Sequence, residues 1–149
     1  MIKLKKGFTL IELLVVIGIL AILLAITLIA INPARQFGQA NNTRRRSDIL
    51  QILNAIHQYV AENKGQLPPN LSALVVATPT NLSNAGVDLC ANLMPNYIPA
   101  LPTEPSLNTA AITSCTTYDT GYQITRDAQN RITVSSPVTD NGEVITVTR

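Results

Sequence analysis

A chain of 149 residues holds one globular domain of ordinary size, with little left over. Residues 1–64 carry eight of the 11 Lys/Arg and only three of the nine Asp/Glu, so the distal part is mildly acidic and offers no phosphate-binding footprint. Aromatics make up 4% and Trp is absent, which limits any soluble core to a small aliphatic one; no Gly-rich phosphate loop or Cys/His cluster is present, and the sole histidine, His57, has no obvious nucleophile partner, so nothing points to an enzyme.

The first seven residues, MIKLKKG, contain Lys3, Lys5 and Lys6 and no acid. Residues 8–31 follow as FTLIELLVVIGILAILLAITLIAI, with Glu12 as the one charged residue. As a helix this run is about 36 Å long at ~1.5 Å per residue, enough to cross a hydrocarbon core of about 30 Å with some tilt. Lysines ahead of such a run hold that end in the cytoplasm and send the rest across, giving a single pass. A secretory signal has a shorter apolar region, about 7–15 residues, and a small-x-small cleavage site. Here the run ends in Ala30-Ile31-Asn32-Pro33, a poor site. A plain anchor accounts for the length and the lysines but leaves Glu12 unexplained, because an intramembrane carboxylate needs a partner or an interfacial position.

The stretch Lys5-Lys6-Gly7-Phe8-Thr9-Leu10-Ile11-Glu12 resembles the leader and processing site of type IV pilins and type II secretion pseudopilins, over residues 1 to about 32. The resemblance implies an inner-membrane precursor cut by a prepilin peptidase between Gly7 and Phe8, with Phe8 then N-methylated and Glu12 the fifth residue of the mature chain. Gly7, having no side chain, fits a narrow protease subsite. The cut leaves a charged amine on Phe8 at the end of an apolar helix, and Glu12 of a neighbouring subunit can meet it, since opposite charges attract strongly in low dielectric. The plainer reading has Glu12 snorkel to the cytoplasmic interface near Lys5 and Lys6, as it would before assembly in either case. The implied partners are further copies of the chain in a filament, the peptidase and an inner-membrane assembly platform. The implied product is a structural subunit of a type IV pilus-like filament in the periplasm or at the cell surface. A major pseudopilin of a type II secretion system and a minor pilin binding DNA or surfaces share the same leader and helix.

Beyond the apolar run, Ile49, Ile52, Leu53, Ile56, Tyr59 and Val60 fall three and four apart, which places them on one helical face. Asn63-Lys64-Gly65 supplies a stop and Pro68-Pro69 forbids continuation. One helix is therefore expected from the membrane into the distal domain. Pro33 would kink or unwind it, with Gly18 and Gly38 as weaker flexible points; the family commonly has such a proline earlier, within the apolar run. Arg44, Arg45 and Arg46 form the sharpest charge run, about 20 Å beyond Ile31 by helical rise, and read as a solvated face or a subunit contact. A nucleic-acid role would need aromatic or further basic partners, and none are near. His57 reads as helix surface or packing, with no ligand partner at metal spacing.

Residues 65–149 read as a small head. Leu71–Val76 and Leu89–Met94 suggest short helices or turns, and the proline-punctuated run 94–102 an extended loop. Tyr122 and Ile124, then Ile132 and Val134, then Ile145 and Val147 alternate with polar residues around turns at Asp127–Asn130 and Asn141-Gly142, which predicts an antiparallel sheet of about three strands. Cys90 and Cys115 form either a disulfide closing a loop of roughly 26 residues, worth ~3 kcal/mol, or two buried thiols; an even count in an exported segment favours the disulfide. Pseudopilins of the major type often bind calcium before the last strands. Glu104, Asp119 and Asp127 are the candidates here, but no dense acidic ligand run exists, and no cofactor is expected. The expected organisation is a basic leader (1–7), a transmembrane and filament-core helix (8–31), an amphipathic continuation (32–64) and a head (65–149). That is an α+β, pilin-like architecture.

Overall fold

The computed structural model describes residues 7–149, which form two compact units divided between Phe37 and Gly38. The first unit holds helix α1 (Leu10–Ile31) and the start of helix α2 (Pro33–Glu62). Every residue of α1 is exposed, as its apolar residues on all faces dictate. At 22 residues it is about 33 Å long and apolar enough to cross a membrane. Its one interior hydroxyl, Thr27, donates back to the Leu24 carbonyl at 2.9 Å and so needs no outside partner.

The helix is interrupted beside Pro33, where a kink or unwinding is expected, and the break falls on one residue. Asn32 adopts the left-handed conformation (φ 46°, ψ 77°) and ends α1. The same residue opens α2: its carbonyl accepts from the Arg35 amide at 3.1 Å and its side-chain oxygen from the same amide at 3.4 Å. Pro33 then occupies the first helical position, where its missing N–H costs no hydrogen bond and its fixed φ suits the helix. The break therefore comes from Asn at a cap followed by Pro, and not from a proline distorting a helix interior.

The second unit, Gly38–Arg149, holds the rest of α2 and the head. The predicted stripe is its spine: Ile49, Ile52, Leu53 and Ile56 are buried, with Tyr59 and Val60 packed at the margin. Each buried aliphatic contributes about 1.5–3 kcal/mol of transfer free energy. Lys64 and Gly65, both at positive φ, end the helix as the sequence indicates. Two single-turn helices, α3 (Pro69–Ser72) and α4 (Cys90–Leu93), insert Leu71 and Leu93 into the core.

The sheet has four strands rather than three: β1 (Thr80–Ser83), β2 (Asp119–Arg126), β3 (Ile132–Ser136) and β4 (Ile145–Thr148), in spatial order 1-2-3-4 with every pair antiparallel. The strand missed in the sequence is β1. It is a four-residue edge strand, TNLS, with one buried apolar side chain, Leu82, and an irregular register between Asn81 and Ser83. Too short to show alternation, it has the form of a blunted sheet edge. On the other strands the alternation holds: Tyr122, Ile124, Ile132, Val134 and Ile145 face one core with the α2 stripe.

The charge run is a solvated face only in part: Arg44 and Arg46 are exposed, but the residue between them is not. Arg45 is 1% exposed. Its Nε donates to Glu104 Oε1 at 2.6 Å, and its Nη1 to Asp140 Oδ2 at 2.6 Å and Asn42 Oδ1 at 2.8 Å. Asn42 and Asp140 also exchange hydrogen bonds, Asn42 Nδ2 to the Asp140 carbonyl (2.8 Å) and the Asp140 amide to Asn42 Oδ1 (3.0 Å). Arg46 pairs with Glu143, and Arg44 lies 3.8 Å from Asp48, whose carboxylate accepts from the buried Tyr122 hydroxyl at 2.7 Å. The loop between β3 and β4 is thereby fastened to the N-terminal part of the spine. Gly38 permits this approach: a Cβ there would lie 2.8 Å from Asn141 Nδ2 and 2.9 Å from Asp140 Cβ. Gly38 is a contact point and not the flexible point the sequence reading expected.

Candidate processing and assembly site

Lys3, Lys5 and Lys6 lie outside the described residues. Gly7 and Phe8 precede α1 as non-helical backbone, and Phe8 is 90% exposed. Thr9 is the N-cap of α1, with φ −82° and ψ 154°. Its Oγ1 accepts from the Glu12 amide at 3.3 Å, while Glu12 Oε2 accepts from the Thr9 amide at 2.8 Å and from the Thr9 hydroxyl at 2.7 Å. Two helix-terminal donors are thus satisfied reciprocally. The only acid of the apolar helix sits in its first turn, where the helix dipole also favours negative charge. Leu10, Ile11, Leu13 and Leu14 surround it as exposed apolar side chains.

Residues 2–28 match the model of the prokaryotic N-terminal methylation motif. The chain carries a prepilin signature. It is the signature of type IV pilin and pseudopilin precursors, and it goes with processing by a prepilin peptidase and with membrane association. No curated protein and no solved structure matched the chain. Within the prepilin signature, Gly7, Phe8 and Glu12 have roles legible in the sequence, and Thr9 gains one from the structure. The S/T-x-x-E spacing Thr9–Glu12 just ahead of an apolar run is the signal that marks it.

The other candidate residues fall in the second unit. Cys90 and Cys115 are joined in a disulfide, with Cα atoms 5.5 Å apart. It ties α4 to the chain entering β2. Glu104 is held by Arg45 and caps the 3-10 turn Pro105–Leu107 through the Ser106 amide at 2.9 Å. Asp119 accepts from the Gly121 amide at 2.9 Å, and Asp127 from the Gln129 and Arg131 amides and Arg131 Nε. The three candidate calcium ligands thus serve three separate sets of interactions. His57 is half-buried on the flank of the α2 stripe, beside the core.

Proposed function

We propose that the chain is the structural subunit of a type IV pilus-like filament, made as an inner-membrane prepilin with its N-terminus in the cytoplasm. In this reading a peptidase hydrolyses the Gly7–Phe8 bond, adding water to leave a carboxylate on Gly7 and an amine on Phe8. The amine then takes a methyl group from an exogenous donor. The observation that carries the reading is the placement of the prepilin signature: an accessible Gly7–Phe8 pair, followed within one turn by the sole acid of a fully exposed apolar helix.

A helix with no buried residue in the isolated chain needs either lipid or other copies around it. In the filament, residues 8–31 leave lipid for an apolar core of identical helices, and Glu12 meets the Phe8 amine of a neighbour. An unpaired carboxylate or ammonium there would cost several kcal/mol, so the pairing also fixes the axial stagger between subunits. The role is structural and not catalytic.

Two measurements test this. Mass spectrometry of the mature protein from its native host should show an N-terminal peptide beginning at N-methylated Phe8. A chain beginning at Met1 would make it a plain anchor, and one beginning near Asn32 a secreted domain; either ends the reading. Glu12→Gln preserves the capping geometry, since a Gln oxygen can also accept from the Thr9 amide, but removes the charge. Processing should stay intact while filaments fail to form, and normal filaments would reject the charge pairing.

A further inference from the structure

The Thr9–Glu12 box settles where α1 begins, and that boundary lies two residues from the bond proposed to be cut. An α-helix could in principle start one turn earlier. The Glu12 amide would then bond the Phe8 carbonyl, and the Ile11 amide the Gly7 carbonyl, because each N–H bonds the carbonyl four residues back. The drive to do so is that the first amides of a helix have no intrahelical acceptor unless the helix is extended or capped. Such an extension would place the carbonyl of the Gly7–Phe8 bond inside a helical hydrogen bond, shielded from an attacking water. The observed geometry opposes this: Thr9 Oγ1 takes the Glu12 amide that the Phe8 carbonyl would otherwise accept, and Glu12 Oε2 takes the Thr9 amide, which together hold Thr9 as the cap and not as a helical residue. The Thr9 backbone is extended, and the first helical bond runs from the Leu13 amide to the Thr9 carbonyl at 3.3 Å.

We propose that Thr9 is a positioning residue for precursor cleavage: as the N-cap of α1 it stops the helix after the scissile bond and presents Gly7–Phe8 to the peptidase as extended backbone. The inference rests on the prepilin reading above and adds a residue to it. Thr9 takes no part in making or breaking bonds; hydrolysis adds one water across the Gly7–Phe8 amide. Its hydroxyl acts by closing off the helical alternative. A β-branched residue of the same shape without the oxygen should therefore fail where serine succeeds.

The test measures cleavage rates of the full-length precursor in membranes containing the peptidase, for the wild type, Thr9→Val and Thr9→Ser. Thr9→Val should slow cleavage about three- to tenfold, the factor that loss of a cap represents, and Thr9→Ser should stay within about twofold of the wild type. The carbonyl chemical shift of isotopically labelled Gly7 should move toward helical values in Thr9→Val and not in Thr9→Ser. Cleavage of Thr9→Val at the wild-type rate overturns the proposal. So does an equal loss in Thr9→Ser, which would assign the effect to side-chain contact with the peptidase. If the wild type itself is not cut after Gly7, the prepilin reading falls first; if it is cut and Thr9→Val is cut equally fast, only the role of Thr9 falls.

Discussion

Arg45→Ala removes the cation shared by two carboxylates, one of which, Glu104, has no equivalent replacement. Glu104, like Arg45, is 1% exposed, and it would be left with only the Ser106 amide and hydroxyl as donors. Asp140 is different: its side chain is 40% exposed, so water can take over from Arg45 and its share is discounted. Breaking a buried pair by deleting one partner costs about 3–5 kcal/mol, and the Glu104 half alone accounts for that range. For a unit of this size the loss corresponds to a melting temperature lowered by roughly 10–20 °C. Circular dichroism of the full chain in detergent micelles, monitored in the β-sheet signal of the head, reads it directly. Removing both charges tests the cause. Arg45→Met with Glu104→Met replaces the buried pair by apolar groups, and such replacements are often neutral, so the double variant should recover most of the loss. If Arg45→Ala melts within about 2 °C of the wild type, a shift worth under 1 kcal/mol, Arg45 is not the buried anchor of the head. If the double variant is no better than the single, the cost lies in lost packing and not in the stranded charge.

Further outcomes follow from the same unit. Gly38→Ala should destabilise the head by about 1–3 kcal/mol, because its Cβ would meet Asn141 and Asp140 well inside contact distance; a thermal melt unchanged from the wild type would show that the loop can shift freely. Cys90→Ser with Cys115→Ser should cost roughly 3 kcal/mol of stability, and reductant should lower the wild-type melting temperature to the level of the double variant. Asp140 is held below the ordinary carboxylate range, first by its hydrogen bond from Arg45 and against the effect of burial. Its contribution is therefore complete above the unfolded-state value of about 3.9 and is lost as pH falls through the lower folded-state value. Asp140→Asn should flatten that acid limb in a melting profile taken between neutral pH and pH 2. Asp48 works with the opposite sign, since burial raises its pKa despite the Tyr122 hydroxyl and Arg44, so its share is lost as pH rises through the folded-state value.

The parts of the fold that were readable in the sequence are those whose cause is local. The α2 stripe repeats every three or four residues, and β2 to β4 alternate around turns that Asn130, Asn141 and Gly142 mark by their positive φ. The residues of the proposed processing site are also neighbours in sequence, since Gly7, Phe8 and Glu12 fall within six residues. What escaped is non-local or too short. Arg45 reads as one of three solvated arginines because its partners, Glu104 and Asp140, lie 59 and 95 residues away. Strand β1 has four residues and one apolar anchor, and is defined by pairing with β2 some forty residues on. Asn32 is an intermediate case. Pro33 marks the interruption in the sequence, but whether it kinks the helix or follows a cap depends on the left-handed backbone of Asn32, which only the structure shows.

The two units are stable for opposite reasons, and this explains why so much of the proposed assembly must fall on one carboxylate. The head buries its own apolar face, so its fold needs no partner. Helix α1 buries none of its residues, and in the proposed pathway it exchanges lipid for other copies of itself. Lipid tails are as apolar as leucine, so that exchange brings almost no hydrophobic driving force; packing and polar pairing must supply it. Among the described residues of α1 only Glu12 bears a charge, and the Phe8 amine exists only after cleavage. Processing would therefore create the partner that makes leaving the membrane favourable, and an unprocessed chain with its leader intact would remain in lipid. Glu12→Gln and a blocked Gly7–Phe8 cut should then fail at the same stage, with both proteins membrane-inserted, folded in the head and unassembled.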